Sequence, residues 1–218
     1  MSAEKTISLA LSQAGITEYP AGTNSVKYNS DYYGRGVSGP AYPWCVTFLW
    51  WVFNNSGEQF AFFGGAKTAS CGTLLNWYRQ MGWAVDVKDA NPGDILILNF
   101  SGTKDTQHCG IVTKVLGTGR FQTVEGNTTP GEEGSQDNGG SVAIKTRYAY
   151  QVVGVCRPQY KPDSPSDYAG HWAEEAIRWA VDWKLMQGFP DGSFKPDEPV
   201  TRAQLAEVLW RLREVIAK

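Results

Sequence analysis

The sequence predicts an α+β domain followed by a small all-α unit, and three observations predict it. Apolar residues recur at helical spacing up to about residue 81, and short apolar runs cut by Gly-rich turns follow to about residue 155. Helical spacing then returns after a proline-rich stretch. Helices first and a run of antiparallel strands second is an α+β order, not an alternating α/β one. The 218 residues, 42% hydrophobic and 19% charged, exceed one typical domain and suffice for a buried core, which excludes disorder as the main state.

Taken in chain order, an opening helix is expected over roughly residues 3–14, then a Gly/Tyr/Ser/Asn-rich loop over 19–43. A second helix starts at once, because Val46, Leu49, Trp50 and Phe53 fall at i, i+3, i+4 and i+7 on one stripe. Residues 73–81 predict a third. Asn91-Pro92-Gly93-Asp94 reads as a turn, and Ile95-Leu96-Ile97-Leu98 as a strand buried on both faces. Strands over 108–115, 120–126, 141–146 and 151–155 follow, with an acidic Gly-rich loop over 130–140 expected to be mobile and to flank a site.

Three prolines within residues 157–167 forbid regular structure and set the expected organisation: a domain over 1–158, a linker over 159–168 and a unit over 169–218. In that last unit Ala173, Ala176, Ile177, Ala180 and Val181 make one helical stripe, and Leu205, Val208, Leu209, Leu212 and Ile216 another. A turn-rich connector, residues 188–196, joins them. A helix-loop-helix of this size is too small to be secure alone. It is expected to lean on a partner or to self-associate.

Charge and composition exclude several functions. The net charge is −2 and no Lys/Arg block of five occurs, so the footprint of a nucleic-acid binder is missing. The longest apolar run, Phe48 to Phe53, falls far short of the roughly 18 residues that span a bilayer. Residues 1–11 carry an acid where a secretory signal would be basic, predicting a chain without a signal peptide, made in the cytoplasm. No Cys-x-x-Cys spacing occurs, and His108 and His171 lie in different halves, so neither a metal centre nor a cofactor is expected and the four cysteines are expected as free thiols.

Chemistry is expected at Cys45. It follows Pro43-Trp44 in the first turn of an amphipathic helix, where free N–H groups and the macrodipole favour an anion and so a thiolate. Read alone, a small buried apolar thiol competes with that reading. His108 raises the odds. Pairing Val115 with Phe121 across the turn at 116–119 gives position sums near 236, which sets His108 opposite about position 128. Asn127 is then its near neighbour and Glu125 a step further on the same face. A histidine beside a carboxylate or amide that holds its second ring nitrogen is what Cys–His hydrolases require. Cys109 is expected in the core on the face opposite His108, Cys156 buried at a strand end, and Cys71 before a helix with no histidine near it in sequence. Glu132 and Glu133, adjacent in a loop, make a poor glycosidase pair.

Pro-Trp-Cys-Val-Thr-Phe-Leu-Trp-Trp-Val-Phe around Cys45, Asn-Pro-Gly-Asp-Ile-Leu-Ile-Leu-Asn-Phe at 91–100, Gln-His-Cys-Gly-Ile-Val around His108 and Val-Glu-Gly-Asn-Thr at 124–128 together resemble a CHAP domain, the papain-like cysteine amidohydrolase/peptidase module of bacterial wall enzymes and phage endolysins. The resemblance covers roughly residues 1–158. It implies a papain-like fold with Cys45 as nucleophile, His108 as general base, Glu125 orienting the imidazole and Asn127 as an auxiliary polar group. Some CHAP domains bind calcium through an Asp-x-Asp-type loop before the nucleophile, and Asn29-Ser30-Asp31 is the nearest match here.

Gly-His-Trp-Ala-Glu-Glu-Ala-Ile at 170–177, Gly-Phe-Pro-Asp-Gly-Ser-Phe-Lys-Pro at 188–196 and Val-Thr-Arg-Ala-Gln at 200–204 resemble one S-layer homology (SLH) repeat. That family binds secondary cell-wall polysaccharides, which implies wall-binding roles for Trp172 and for Arg202, with Gln204 in place of the usual Glu. Such repeats usually come in threes, so a single one implies a homo-oligomer. The two resemblances together imply a phage-type endolysin that cleaves an amide of the peptidoglycan peptide, as an N-acetylmuramoyl-L-alanine amidase or an endopeptidase, and acts at the wall after release from the cytoplasm. A host autolysin with the same chemistry and a non-catalytic wall-binding protein are the alternatives.

Overall fold

A computed structural model of the chain describes residues 2–131, 133–160, 167–189 and 193–216. Two compact units divide at residues 161/162. Residues 161–166 of the expected linker, Glu132, and residues 190–192 of the C-terminal connector lie outside the described residues.

The first unit is helical and then antiparallel. Its helices are α1 (Ser2–Ser12), α2 (Lys27–Tyr33), α3 (Cys45–Ser56) and α4 (Cys71–Gln80). Its strands are β1 (Ala84–Val85), β2 (Ile95–Leu98), β3 (His108–Gly117), β4 (Arg120–Thr128), β5 (Ser141–Tyr148) and β6 (Val152–Cys156). They form one sheet in the order β1-β6-β2-β3-β4-β5, every neighbouring pair antiparallel. This bears out the α+β class.

The alternation of strand side chains sorts the apolar residues between two cores. Ile95, Ile97, Cys109, Ile111 and Val124 join Trp44, Phe48, Leu49, Val52 and Phe53 of the α3 segment and Leu74 and Tyr78 of α4. Leu96, Leu98, Val112, Phe121 and Val155 fill the other face. Strand β2 is therefore buried on both sides, as its uninterrupted apolar run predicts.

Helix α2 lies inside the segment read as loop. Its sequence has no apolar stripe, and it is held by two buried side chains, Tyr28 and Asn29. The Asn29 amide donates to the carbonyls of Asn24 and Tyr42, and its carbonyl oxygen accepts from the Thr47 hydroxyl on α3 at 2.8 Å. Polar tertiary bonds, not periodicity, fix this element.

Helix α3 approaches β4 at a glycine. A Cβ on Gly126 would lie 2.6 Å from Phe48 Cβ and 2.9 Å from the Trp44 ring. The absence of that atom sets the height of the Cys45 end of the helix above the sheet.

In the second unit the described residues form α5 (Glu174–Asp182) and α6 (Arg202–Ile216). Thr201 caps α6 by accepting from the Gln204 backbone N–H, while the Gln204 side-chain oxygen accepts from the Thr201 N–H at 2.8 Å. This is a capping box in which Gln serves as well as Glu. His171 accepts from the Ala173 N–H and faces Asp197, and Asp167 accepts from the N–H groups of Phe194 and Lys195.

Gly126→Ala should overpack the contact between α3 and β4 and lower unfolding stability by about 1–3 kcal/mol. Denaturant unfolding of the full chain measures it, and an unchanged midpoint would show that the approach has slack.

Candidate active site

Cys45 is the first residue of α3 and 5% exposed. Cys71 is the first residue of α4, with Ser70 capping that helix through the Thr73 N–H. Two helix N-termini thus present their leading residues to one another, and the two sulfurs lie 3.8 Å apart. Cys109, second residue of β3, completes a group of three buried thiols whose sulfurs all lie within 4.8 Å. All four cysteines are free, as expected, and Cys156 is buried at the end of β6.

His108 opens β3 and is wholly buried. Its Nε2 lies 3.0 Å from Glu125 Oε2. Glu125 is also wholly buried and accepts from Arg147 Nε at 2.8 Å, from the second Arg147 nitrogen at 2.5 Å and from the Thr123 hydroxyl at 2.5 Å. Burial alone would push this carboxyl up. The Arg147 hydrogen bonds, then His108, outweigh burial and hold it at about 2. An ionised carboxylate is acceptor-only, so Nε2 must carry the proton it offers, and Nδ1 is the nitrogen left for Cys45. Nδ1 makes no hydrogen bond of its own.

Cys45 and His108 each favour the charged form of the other. Hydrogen bonding from Cys109 and then Cys71 draws the Cys45 thiol well below its ordinary range, burial opposes this, and His108 adds to the lowering. Burial lowers His108, but Cys45 and then Glu125 outweigh it and raise the ring to about 9. A thiolate beside an imidazolium oriented by a carboxylate is equipped for nucleophilic attack on an acyl carbon with proton return.

The hairpin register puts Glu125 diagonally across from His108, on the same face and one step beyond the directly opposed position. Val115 pairs with Phe121, a sum of 236, but the ladder shifts between Val112 and Lys114 so that Ile111 pairs with Val124. Past the shift the sum is 235, and Glu125 falls opposite Gly110. A Cβ on Gly110 would sit 2.4 Å from Glu125 Cγ. That glycine makes the room in which the carboxylate reaches His108.

Asn127 is buried with φ +59°, and its amide donates to Asn138 Oδ1 at 3.1 Å, while Gly139 N–H donates to its carbonyl. It ties the loop after β4 instead of touching the imidazole. The same loop is fastened by Lys145, which donates to the carbonyls of Thr129 and Gly131, and by Gln136, which accepts from Arg147. Sequence reading missed Arg147, Thr123, Gly110, Cys71 and Cys109 as members of the site. An arginine at alternate spacing on β5 was the one available signal for a buried partner.

For calcium, the residues present do not fit. Asn29 accepts from Thr47, Asp31 accepts from Trp51 Nε1 at 2.8 Å, and both lie on a helix instead of an open loop. In the second unit Trp172 is 91% exposed and Arg202 begins α6. A groove of about 580 Å³ there is lined by Phe189, Phe194, Lys195, Glu207 and Arg211 among others, and neither Trp172 nor Arg202 lines it. Among the described residues no helix is long and apolar enough to cross a membrane.

A mixed helix-and-sheet unit with a buried Cys–His–Glu line, followed along the chain by a second compact unit, is the class that structure defines. Residues 37–127 match the CHAP domain and residues 166–206 match the S-layer homology domain. The chain therefore carries a CHAP domain within its first unit and an S-layer homology domain within its second. Similar curated proteins include the cellulosome-anchoring protein of Acetivibrio thermocellus, 42% identical over 48 residues (22% of this chain, 11% of that protein). Cell surface glycoprotein 1 of the same organism is 44% identical over 54 residues (23% and 2%), and the S-layer protein of Bacillus licheniformis 38% over 76 residues (33% and 8%). The chain thus spans about a tenth or less of the length of these relatives. The crystal structure of Ly7917 with the hydrolyzing product of MDP aligns with a TM-score of 0.41 at 18% identity, covering 72% of this chain and 62% of that one.

Iodoacetamide at neutral pH should alkylate Cys45 ahead of the other three thiols, and His108→Ala should move the onset of that labelling to higher pH; equal labelling of all four would count against a held thiolate. The pH dependence of stability has two arms. His108, raised from 6.5 to about 9, contributes stability that is whole below 6.5 and lost as the pH rises through about 9. Glu125, lowered from 4.5 to about 2, contributes stability that is whole above 4.5 and lost as the pH falls through about 2. Glu125→Gln should remove the acid arm and cost about 3–5 kcal/mol by stranding Arg147 in the interior, both read by thermal unfolding across pH.

Proposed function

We propose that the chain is a peptidoglycan hydrolase that cleaves an amide of the wall peptide by Cys–His nucleophilic catalysis, as an N-acetylmuramoyl-L-alanine amidase or an endopeptidase. The observation that carries this reading is the buried line Cys45–His108–Glu125–Arg147, set within the CHAP domain. The S-layer homology domain on the same chain supports the wall as the place of action. A lytic enzyme of endolysin type, cutting with one module and holding the wall with the other, is the physiological form we favour.

In this mechanism the Cys45 thiolate attacks the amide carbon and the carbonyl oxygen becomes an oxyanion. The free N–H groups in the first turn of α3, that of Cys45 included, are the donors available to it. His108 Nδ1 gives its proton to the departing amine, leaving a thioester on Cys45. The now neutral imidazole takes a proton from water, whose oxygen attacks the thioester carbon, and the restored imidazolium protonates or pairs with the released thiolate. Glu125 keeps the ring in one tautomer throughout. Asn127 serves the site through the loop it anchors.

In the second unit we assign Trp172 and Arg202 to recognition of secondary wall polysaccharide, where a guanidinium suits an acidic substituent bidentately. The half-exposed Trp179, Trp183, Leu209 and Trp210 support self-association of this unit.

Cys45→Ala should lower wall-clearing activity by on the order of 10⁴-fold while leaving wall binding intact. Mass spectrometry of digested wall fragments distinguishes the two bonds: glycan freed from peptide marks the amidase, a new amine within peptides the endopeptidase, and intact fragments would sink the reading. Arg202→Ala should weaken co-sedimentation with wall preparations by about tenfold, the loss of one charged bidentate contact. Light scattering at micromolar concentration should give a mass above the 24.0 kDa of one chain; a monomer would refute the self-association.

A further inference from the structure

The mechanism uses one thiol, and two more sit beside it. Cys71 Sγ lies 3.8 Å from Cys45 Sγ, and Cys109 Sγ lies within 4.8 Å of both. Cys45 and Cys71 lead two different helices and are 5% and 7% exposed, while Cys109 is wholly buried. Closing 3.8 Å to a disulfide bond of about 2.05 Å asks for side-chain rotation at two helix ends and no rearrangement of the sheet. Cys109, held in a strand of the central sheet, has less freedom to move.

We infer that Cys71 is a resolving thiol for Cys45: when peroxide oxidises the nucleophile, Cys71 captures it as a Cys45–Cys71 disulfide that thiol reductants reverse. This rests on Cys45 being the reactive thiolate of the proposed function. The two steps balance. The Cys45 thiolate attacks one oxygen of hydrogen peroxide, the O–O bond breaks, and the departing hydroxide leaves as water with the proton of the neighbouring imidazolium. The sulfur has lost two electrons and the peroxide has gained them, giving a sulfenic acid. Cys71 then yields its proton and attacks the sulfenic sulfur, the S–O bond breaks, and that oxygen leaves as a second water. The sum is two thiols and one peroxide converted to one disulfide and two waters.

The geometry gives the capture its value. A thiolate favoured by two helix N-termini is open to further oxidation to sulfinic and sulfonic acids, which ordinary reductants do not reverse. A second sulfur in van der Waals contact competes with the next peroxide.

The test is direct because Arg35, Lys67, Arg79, Lys104 and Lys114 place Cys45, Cys71 and Cys109 on three separate tryptic peptides. The full chain is treated with hydrogen peroxide, alkylated, digested without reduction and mapped. A linked 36–67/68–79 pair is expected, and dithiothreitol should restore most of the wall-clearing activity lost. For Cys71→Ser, compared with its own untreated activity, the expected result is sulfinic or sulfonic acid at Cys45 and no recovery. Cys156→Ser, outside the group of three close sulfurs, should behave as the parent chain. A linked pair joining 36–67 to 105–114, or sulfinic acid at Cys45 in the parent, would overturn the assignment. An untreated chain that never clears walls yet forms the Cys45–Cys71 link would remove the hydrolase reading and leave the capture standing.

Discussion

A carboxylate with no access to water is the constraint on which the rest of the first unit depends. Glu125 stays ionised in the interior because Arg147, Thr123 and His108 supply its hydrogen bonds. Removing any one partner leaves a buried charge or donor short, which costs far more than a surface pair would. Three strands must therefore keep their register together: β3 for the imidazole, β4 for the carboxylate and β5 for the guanidinium. Phe100 closes the arrangement, lying 4.7 Å from the guanidinium carbon and 6.0 Å from the imidazole ring centre. The sheet is in this sense part of the proposed acid–base apparatus and not only its support.

The proposed nucleophile comes from the other direction. Cys45 sits on a helix whose position is decided by packing, with Gly126 allowing Phe48 and Trp44 down onto β4 and Thr47 tied to Asn29. Trp44 is pinned in turn by Glu18, whose carboxylate also accepts from the N–H groups of Gly22 and Asn24. The thiol is thus placed by dry contacts and the imidazole by charged ones. They meet where β3 begins, so that one sulfur senses both His108 and its chain neighbour Cys109.

Local signals carried much of this into the sequence. The stripe of α3 and the doubly buried run of β2 are periodicity, and the helix-terminal thiol needs only the helix start to be seen. The pairing of His108 with the 125–127 segment followed from a short turn. What the turn did not reveal was the shift between Val112 and Lys114, which changes the opposing residue by one and sets Glu125 across from Gly110, diagonal to His108. Asn127, expected nearer the ring, instead spends its amide on the loop beyond β4. Arg147 was invisible for a topological reason: the connection from β4 to β5 is long and polar, so no register could be counted across it. Cys71 and Cys109 were read one at a time, by their own elements, whereas their closeness is a tertiary fact created by two helix ends and a strand converging. Helix α2 escaped because polar bonds to distant residues hold it.

The second unit shows how a departure from a family pattern can be neutral to structure. Gln204, where Glu is usual, still accepts from the Thr201 N–H and closes the capping box, because that task needs a carbonyl-type oxygen and not a charge. Losing the charge removes one negative group from the first turn of α6, beside Arg202. An acidic polysaccharide approaching that turn then meets a guanidinium and a helix N-terminus with less competition from the protein's own carboxylates. For the proposed function on an insoluble polymer this would matter twice. Holding the wall with one unit would, on that function, raise the effective substrate concentration around the other, and the binding would have to last through a turnover without fixing the chain at one spot. On the proposed function, several sites of modest affinity brought together would meet both demands better than one very tight site.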